Sequence, residues 1–286
     1  GYEGAGKTRH LVVRDAASPD KPLGELPPEP PDESLAFDAA LRLDGSIVVA
    51  WDAPSDDGSA VMASVIRGGK AGEPARLSPK DVDADTPRVL ALGPTILAMW
   101  IAHRALPKSD AAAPLEGAGQ DLDKTWIEMM GFDDGFHPTS PLRHVTQDSG
   151  RVTTFDLVNE APSVPPSIDV VARDGLELHA GEGGTALLVH VSGPEPAAPV
   201  VLADHVGRGV PLFTKGPNGN MALFDGPDGR GRAVSIAAKV AEQENADTAT
   251  PEPALDGARP LAALPQNGEL LVASDDGAEL RVVRCR

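Results

Sequence analysis

Asp44-Gly45-Ser46-Ile47-Val48-Val49-Ala50-Trp51, Asn218-Gly219-Asn220-Met221-Ala222-Leu223-Phe224 and Asn267-Gly268-Glu269-Leu270-Leu271-Val272-Ala273 follow one pattern. A turn dipeptide is followed by an apolar run without alternation. Asp-Gly and Asn-Gly favour two-residue type I′ turns, because both central positions need φ > 0. The continuous apolar runs predict strands buried on both faces. Upstream of the second and third turns lie proline-opened strands, Pro211-Leu212-Phe213 and Pro260-Leu261-Ala262-Ala263-Leu264. Thr86-Pro87-Arg88-Val89-Leu90-Ala91-Leu92 leads through Gly93 to Ile96-Leu97-Ala98-Met99-Trp100 in the same way. A following hairpin repeats too: Ser55-Asp56-Asp57-Gly58 precedes Val61–Val65, and Ser274-Asp275-Asp276-Gly277 precedes Leu280–Val283.

Gly45 and Gly93 are 48 residues apart, and Gly219 and Gly268 are 49. A repeat of that length holding four short strands is the content of a propeller blade. The sequence therefore predicts an all-β chain, 1–286 forming a single β-propeller of five four-stranded blades. The blades fall at 35–85, 86–147, 148–206 and 207–258. The fifth is 259–286, completed by the N-terminal strand Arg9–Arg14 so that neither chain end is left as an open edge. Six blades would require splitting 104–206. Short Ala-rich strands such as Ala36-Phe37-Asp38-Ala39-Ala40-Leu41 are expected innermost, where space is least. Residues 1–8 read as a flexible terminus, 17–34 as a Pro-rich crossing segment, and 104–124 and 241–258 as long polar loops. Trp51 and Trp100 close equivalent strands and are expected to pack blade against blade.

At 286 residues the chain can bury roughly three quarters of its unfolded surface. It needs no covalent staples, and its one cysteine, Cys285, forms no intramolecular disulfide and reads as packing. Forty-three acidic against 25 basic residues give a net charge of −18, which repels nucleic acid and anionic lipid. No apolar run is long enough for a membrane span. No charged-then-apolar leader is visible, so the expectation is that any signal peptide is removed or never existed. Abundant Ala, Pro, Gly and Asp point to an exported bacterial protein, extracellular or periplasmic.

Gly1-Tyr2-Glu3-Gly4-Ala5-Gly6-Lys7-Thr8 satisfies the phosphate-loop spacing. That chemistry needs a strand before the loop and a helix after it, and Arg9–Arg14 alternates like a strand. The sequence argues against a nucleotide. Asp81-Val82-Asp83-Ala84-Asp85 opens like a calcium loop, but Thr86 stands where the turn glycine belongs and Leu92 where the bidentate Glu would be. Asp81, Asp83 and Asp85 are thus the candidate metal ligands, and calcium is the one cofactor on offer. None of the seven histidines shows zinc-motif spacing. A Ser-His-Asp set assembled from distant positions stays open, with no G-x-S-x-G elbow to mark one.

The repeat is similar to bacterial sialidase-like and related propeller families over most of the chain. The Ser-Asp-Asp-Gly turns resemble the S-x-D-x-G-x-x-W box of sialidases, with Gly one position early and no Trp following. Sialidase activity also implies an arginine cluster and a catalytic Tyr, and the only tyrosine is Tyr2. Five-bladed glycosidases carry inner-strand carboxylates, which implies Asp38 and Asp156, with Arg88 on another inner strand, as a paired-carboxylate site. The leading expectation is a non-catalytic scaffold contacting another protein or a cell-surface component. A glycosidase-like hydrolase at the axis is the alternative, and a subunit of a larger assembly the third.

Overall fold

The computed structural model describes residues 2–4, 10–15, 18–26, 36–56, 58–104, 124–146, 152–161, 167–175, 184–192, 196–207, 211–216, 219–226, 230–237, 239, 259–266, 269–275 and 280–285. The long loops expected at 104–124 and 241–258 lie almost wholly outside these residues. The chain divides into two compact units, Gly1–Asp148 and Ser149–Arg286. The division falls one residue after the expected boundary between the second and third repeats.

The first unit holds three antiparallel sheets. β1 (Tyr2–Glu3), β2 (His10–Asp15) and β3 (Ser18–Glu25) form one in that order. β4 (Phe37–Leu41), β5 (Ile47–Ser55), β6 (Gly58–Arg67) and β7 (Lys70–Ala71) form the next, with β8 (Ala75–Arg76) on β6. The third runs from β9 (Asp83–Leu92) through β10 (Thr95–Arg104) and β11 (Lys124–Phe132) to β12 (Arg143–His144). In the second unit β13 (Val152–Ala161), β14 (Ser167–Asp174), β15 (Gly184–Val191) and β16 (Val200–Val206) make a four-stranded meander. Two three-stranded meanders follow: β17 (Leu212–Gly216), β18 (Gly219–Asp225) and β19 (Gly231–Ser235), then β20 (Arg259–Gln266), β21 (Glu269–Asp275) and β22 (Leu280–Cys285). Strands are thus neighbours in chain order, as a repeat of hairpins requires.

One expectation is corrected. The N-terminal strand does not complete the last sheet: β2 sits between β1 and β3 in a sheet of its own. The described residues therefore form six sheets rather than five. The segment read as a Pro-rich crossing supplies β3. Proline is tolerated there because β3 is an edge strand, where a missing N–H costs no ladder bond. The register shifts on either side of Arg14, which pairs with Pro22.

The second strands are the buried ones, as their unbroken apolar runs predicted: β5 from Val48 to Asp52, β10 from Ile96 to Ala102 and β14 from Ile168 to Arg173. Trp51 packs with Leu11 and Leu26 of the first sheet and its surroundings. Trp100 packs with Val48, Val61 and Val65 of the second sheet. Phe224 of β18 likewise packs with Val171 and Leu188 of the preceding sheet. In each case an aromatic on a second strand, Trp51 and Trp100 in mid-strand and Phe224 near the end, fills the junction with the sheet before it, the role expected of a repeat-equivalent core residue.

The turns are less uniform than the dipeptides predict. Gln266 pairs with Glu269 as expected, while Asn267-Gly268 itself lies outside the described residues. Gly216 pairs with Gly219, one residue earlier than Asn218-Gly219 implied. At Asp44-Gly45 the Arg42 N–H reaches Ser46 O and the Gly45 N–H reaches Arg42 O, with Gly45 at φ 79°. This is a three-residue loop, a type I turn closed by a left-handed glycine. Ser55 pairs with Gly58 across Asp56 and Asp57. Gly58 has φ 114°, and a Cβ there would lie 2.6 Å from the Asp83 carboxyl carbon. Gly58→Ala is expected to destabilise the first unit by about 1–3 kcal/mol from the backbone alone. Urea denaturation followed by tryptophan fluorescence reads this loss, which Asp83→Ala in the same chain should partly relieve. Among the described residues no helix is long and apolar enough to cross a membrane.

Candidate functional site

Asp38 and Asp156, the two carboxylates proposed for the axis, have matching surroundings in their separate units. Asp38 sits on β4, and its Oδ2 accepts the Val89 N–H at 2.9 Å. Asp156 sits on β13, where Oδ2 accepts the Phe213 N–H at 2.7 Å and Oδ1 the Leu157 N–H at 2.9 Å. Val89 and Phe213 each lie two residues after a proline, on β9 and β17. Both strands are sheet edges. An edge strand leaves alternate N–H groups without a ladder partner, and a buried one must be satisfied elsewhere. In each unit a carboxylate on the first strand of one sheet therefore latches the first strand of the next. Arg88 donates from Nη1 to the adjacent Pro87 O at 3.0 Å.

The three aspartates of the calcium-like opening do not form a loop. Asp81 is exposed, while Asp83 and Asp85 stand in β9. Asp83 Oδ1 accepts the Ser59 N–H at 2.8 Å, and Asp85 Oδ2 lies 3.0 Å from His103 Nε2. Among the described residues no three His, Cys, Asp or Glu side chains gather where a metal ion could bind. Of Gly1–Thr8 the described part is Tyr2–Gly4, and Tyr2–Glu3 is strand β1. Glu3 is exposed and accepts from Arg14 Nε at 2.7 Å, a bond that holds the Glu3 carboxyl below its usual range.

Sequence reading missed a polar cluster at the centre of the third sheet. Glu128 is fully buried on β11. Its Oε2 accepts from Trp100 Nε1 and its Oε1 from Trp126 Nε1, both at 3.0 Å. His144 Nε2 approaches Oε1 at 3.4 Å from β12, and its ring lies 5.2 Å from the Trp126 ring. The registers Trp100↔Glu128 and Glu128↔His144 place these groups in one cross-strand row. No local motif could have announced it, because the row exists only once the register is set.

Among the described residues an open apolar row lies on β4. Its residues alternate, with Asp38 and Ala40 turned inward and Phe37, Ala39 and Leu41 exposed. Phe37 is 40%, Leu41 71% and Leu43, at the hairpin tip, 96% exposed. Exposed apolar residues in a row, rather than singly, are the informative case.

The tip is also held rigid. Asp44 Oδ1 accepts the Ser46 N–H at 2.9 Å and the Ser46 hydroxyl, and the hydroxyl bond foremost keeps the Asp44 carboxyl below its usual range. Arg42 Nη1 lies 3.8 Å from both Asp44 and Asp134, while Arg67 Nη2 reaches Asp134 at 2.9 Å. Asp133 fixes the turn that presents Asp134, accepting the His137 N–H at 2.8 Å and the Gly135 N–H at 2.9 Å. Those donors, His137 N–H first, hold its carboxyl below the usual range. Leu43 is thus displayed on a loop with little freedom left to lose on binding.

No protein-family model matches the chain, and no curated protein does. Among solved structures it is similar to a mutant of the Aleuria aurantia lectin AAL in complex with Fucalpha1-6GlcNAc. The TM-score is 0.44 at 12% identity, covering 87% of this chain and 74% of that one. The mercury-derivative form of the fucose-specific lectin from Aleuria aurantia gives 0.42 at 11% identity, covering 88% and 74%. Overlaps this loose carry no argument about architecture or ligand, which rests on the strands, registers and contacts above.

Proposed function

We propose that the chain is a binding scaffold with no chemistry at Asp38 and Asp156, its successive meanders serving as blades of a β-propeller. In this reading the Phe37–Leu41–Leu43 strip contacts another protein or a cell-surface component. The observation that carries it is the apolar row on β4 ending in a near-fully exposed leucine on a braced loop. Apolar anchors on preorganised backbone are what interfaces use, since ordering costs are met in advance. The net charge of −18 favours a partner surface that is neutral or basic. The glycosidase reading asks Asp38 and Asp156 for proton transfer, yet both already accept main-chain N–H groups. Freeing them would unlatch the edge strands.

The test is native mass spectrometry of the chain isolated from its own source, beside a Leu41→Ser/Leu43→Ser variant. Additional mass on the wild-type chain that disappears from an equally stable variant is the expected result. The same mass on both chains, or turnover abolished by Asp38→Asn, would overturn the reading.

A further inference from the structure

Ser167 opens β14, Asp169 follows two residues later on the same face, and His190 stands directly across from Asp169 on β15. His190 Nδ1 lies 2.7 Å from Asp169 Oδ1, and His190 Nε2 lies 3.3 Å from Ser167 Oγ. The Asp169 side chain is 7% exposed and that of His190 43%. Ser167 is half-buried. A buried carboxylate, a histidine bridging outward and an accessible hydroxyl at its far nitrogen are the roles of a nucleophilic triad, which is recognised by geometry rather than by sequence position. The ring orientation matters. In His10, His103 and His144 it is Nε2 that faces the carboxylate, while in the exposed His137 it is Nδ1. In His190 Nδ1 does so, which fixes the proton there and leaves the Nε2 lone pair toward Ser167.

We propose that Ser167, His190 and Asp169 form an acyl-transfer site for short carboxylic esters in the second unit. This goes beyond the binding role of β4 and stands or falls separately from it. Ser167 Oγ attacks the ester carbonyl while its proton passes to His190 Nε2. The C–O bond to the alcohol breaks, and the departing alkoxide takes that proton. Water then attacks the acyl-serine, giving its proton to His190, and the carboxylic acid leaves as Oγ is reprotonated. Ser167 and His190 are the catalytic residues. Asp169 is a positioning residue, holding the ring and its tautomer.

The experiment treats the full chain with a fluorophosphonate probe, maps the adduct by peptide mass spectrometry, and follows p-nitrophenyl acetate hydrolysis. The expected result is one adduct at Ser167, absent from Ser167→Ala and formed about 100-fold more slowly in His190→Gln. Asp169→Asn is expected to lower kcat for p-nitrophenyl acetate at least about tenfold with KM within about twofold, the sign of a group that acts on the reacting serine rather than on binding. His190 is half-exposed, so His190→Gln keeps the sheet intact. No adduct at Ser167 in the folded wild-type chain, or labelling undiminished in His190→Gln, would overturn the proposal. Loss confined to KM in Asp169→Asn would overturn the role given to Asp169.

Discussion

Glu128→Ala is expected to lower the unfolding free energy of the first unit by about 3–5 kcal/mol, from two buried indole donors losing their acceptor and the void the side chain leaves. Two indole N–H groups converge on this carboxylate in a fully buried site. Each orphaned donor costs about 1–3 kcal/mol, and the void left by the side chain adds to that. Glu128→Gln keeps one acceptor but turns an amide N–H toward an indole N–H, so an intermediate loss is expected. Glu128→Leu combined with Trp100→Phe and Trp126→Phe removes donors and acceptor together. That triple variant should recover most of the loss, because a well-packed apolar replacement of a buried polar network is often near neutral. Urea midpoints at constant m-value measure all three.

Asp156→Ala comes second, with an expected loss of about 2–4 kcal/mol from two hydrogen bonds to a charged acceptor. The edge strand β17 then has a Phe213 N–H with no side-chain acceptor, and its pairing with β18 is its main remaining tether. Asp156→Asn retains one carbonyl oxygen and should lose about half as much. Asp38→Ala loses the bond from the Val89 N–H and is expected to cost about 1.5–3 kcal/mol. Hydrogen exchange at the Val89 and Phe213 amides separates this local effect from global unfolding. Each amide should lose protection in its own variant before the rest of its sheet does.

The repeat was legible because turn dipeptides and apolar runs are local features, but the separate sheet β1–β3 did not follow from them. What stayed hidden depended on register or on the tolerance of an edge. Ser18–Glu25 carries Pro19 and Pro22, which argue against a strand until its place at a sheet edge is known. The turn at Asp44-Gly45 shows the limit of a dipeptide: Ser46 supplies a hydroxyl and an N–H to Asp44, which favours the wider loop. Asp38 and Asp156 were legible as carboxylates on the first strands of their sheets but not as latches, since Val89 and Phe213 lie 51 and 57 residues away in sequence. Glu128 sits in an apolar run between Ile127 and Met129, and its two tryptophan donors come from different strands. The row on β4 was placed innermost because of its alanines. Which face stayed open follows from Asp38 turning toward β9, a contact no alternation pattern contains.

The binding role of β4 is tested most directly by placing a photoreactive benzophenone side chain at Leu43 and irradiating cells of the native source. The control position is the exposed Asp56, in the hairpin at the other end of β5. A discrete cross-linked product at Leu43, absent at Asp56 and lost with Leu41→Ser, is the predicted result. Products at Asp56 alone, or an identical set at both positions, would contradict the assignment of β4 as the contact surface.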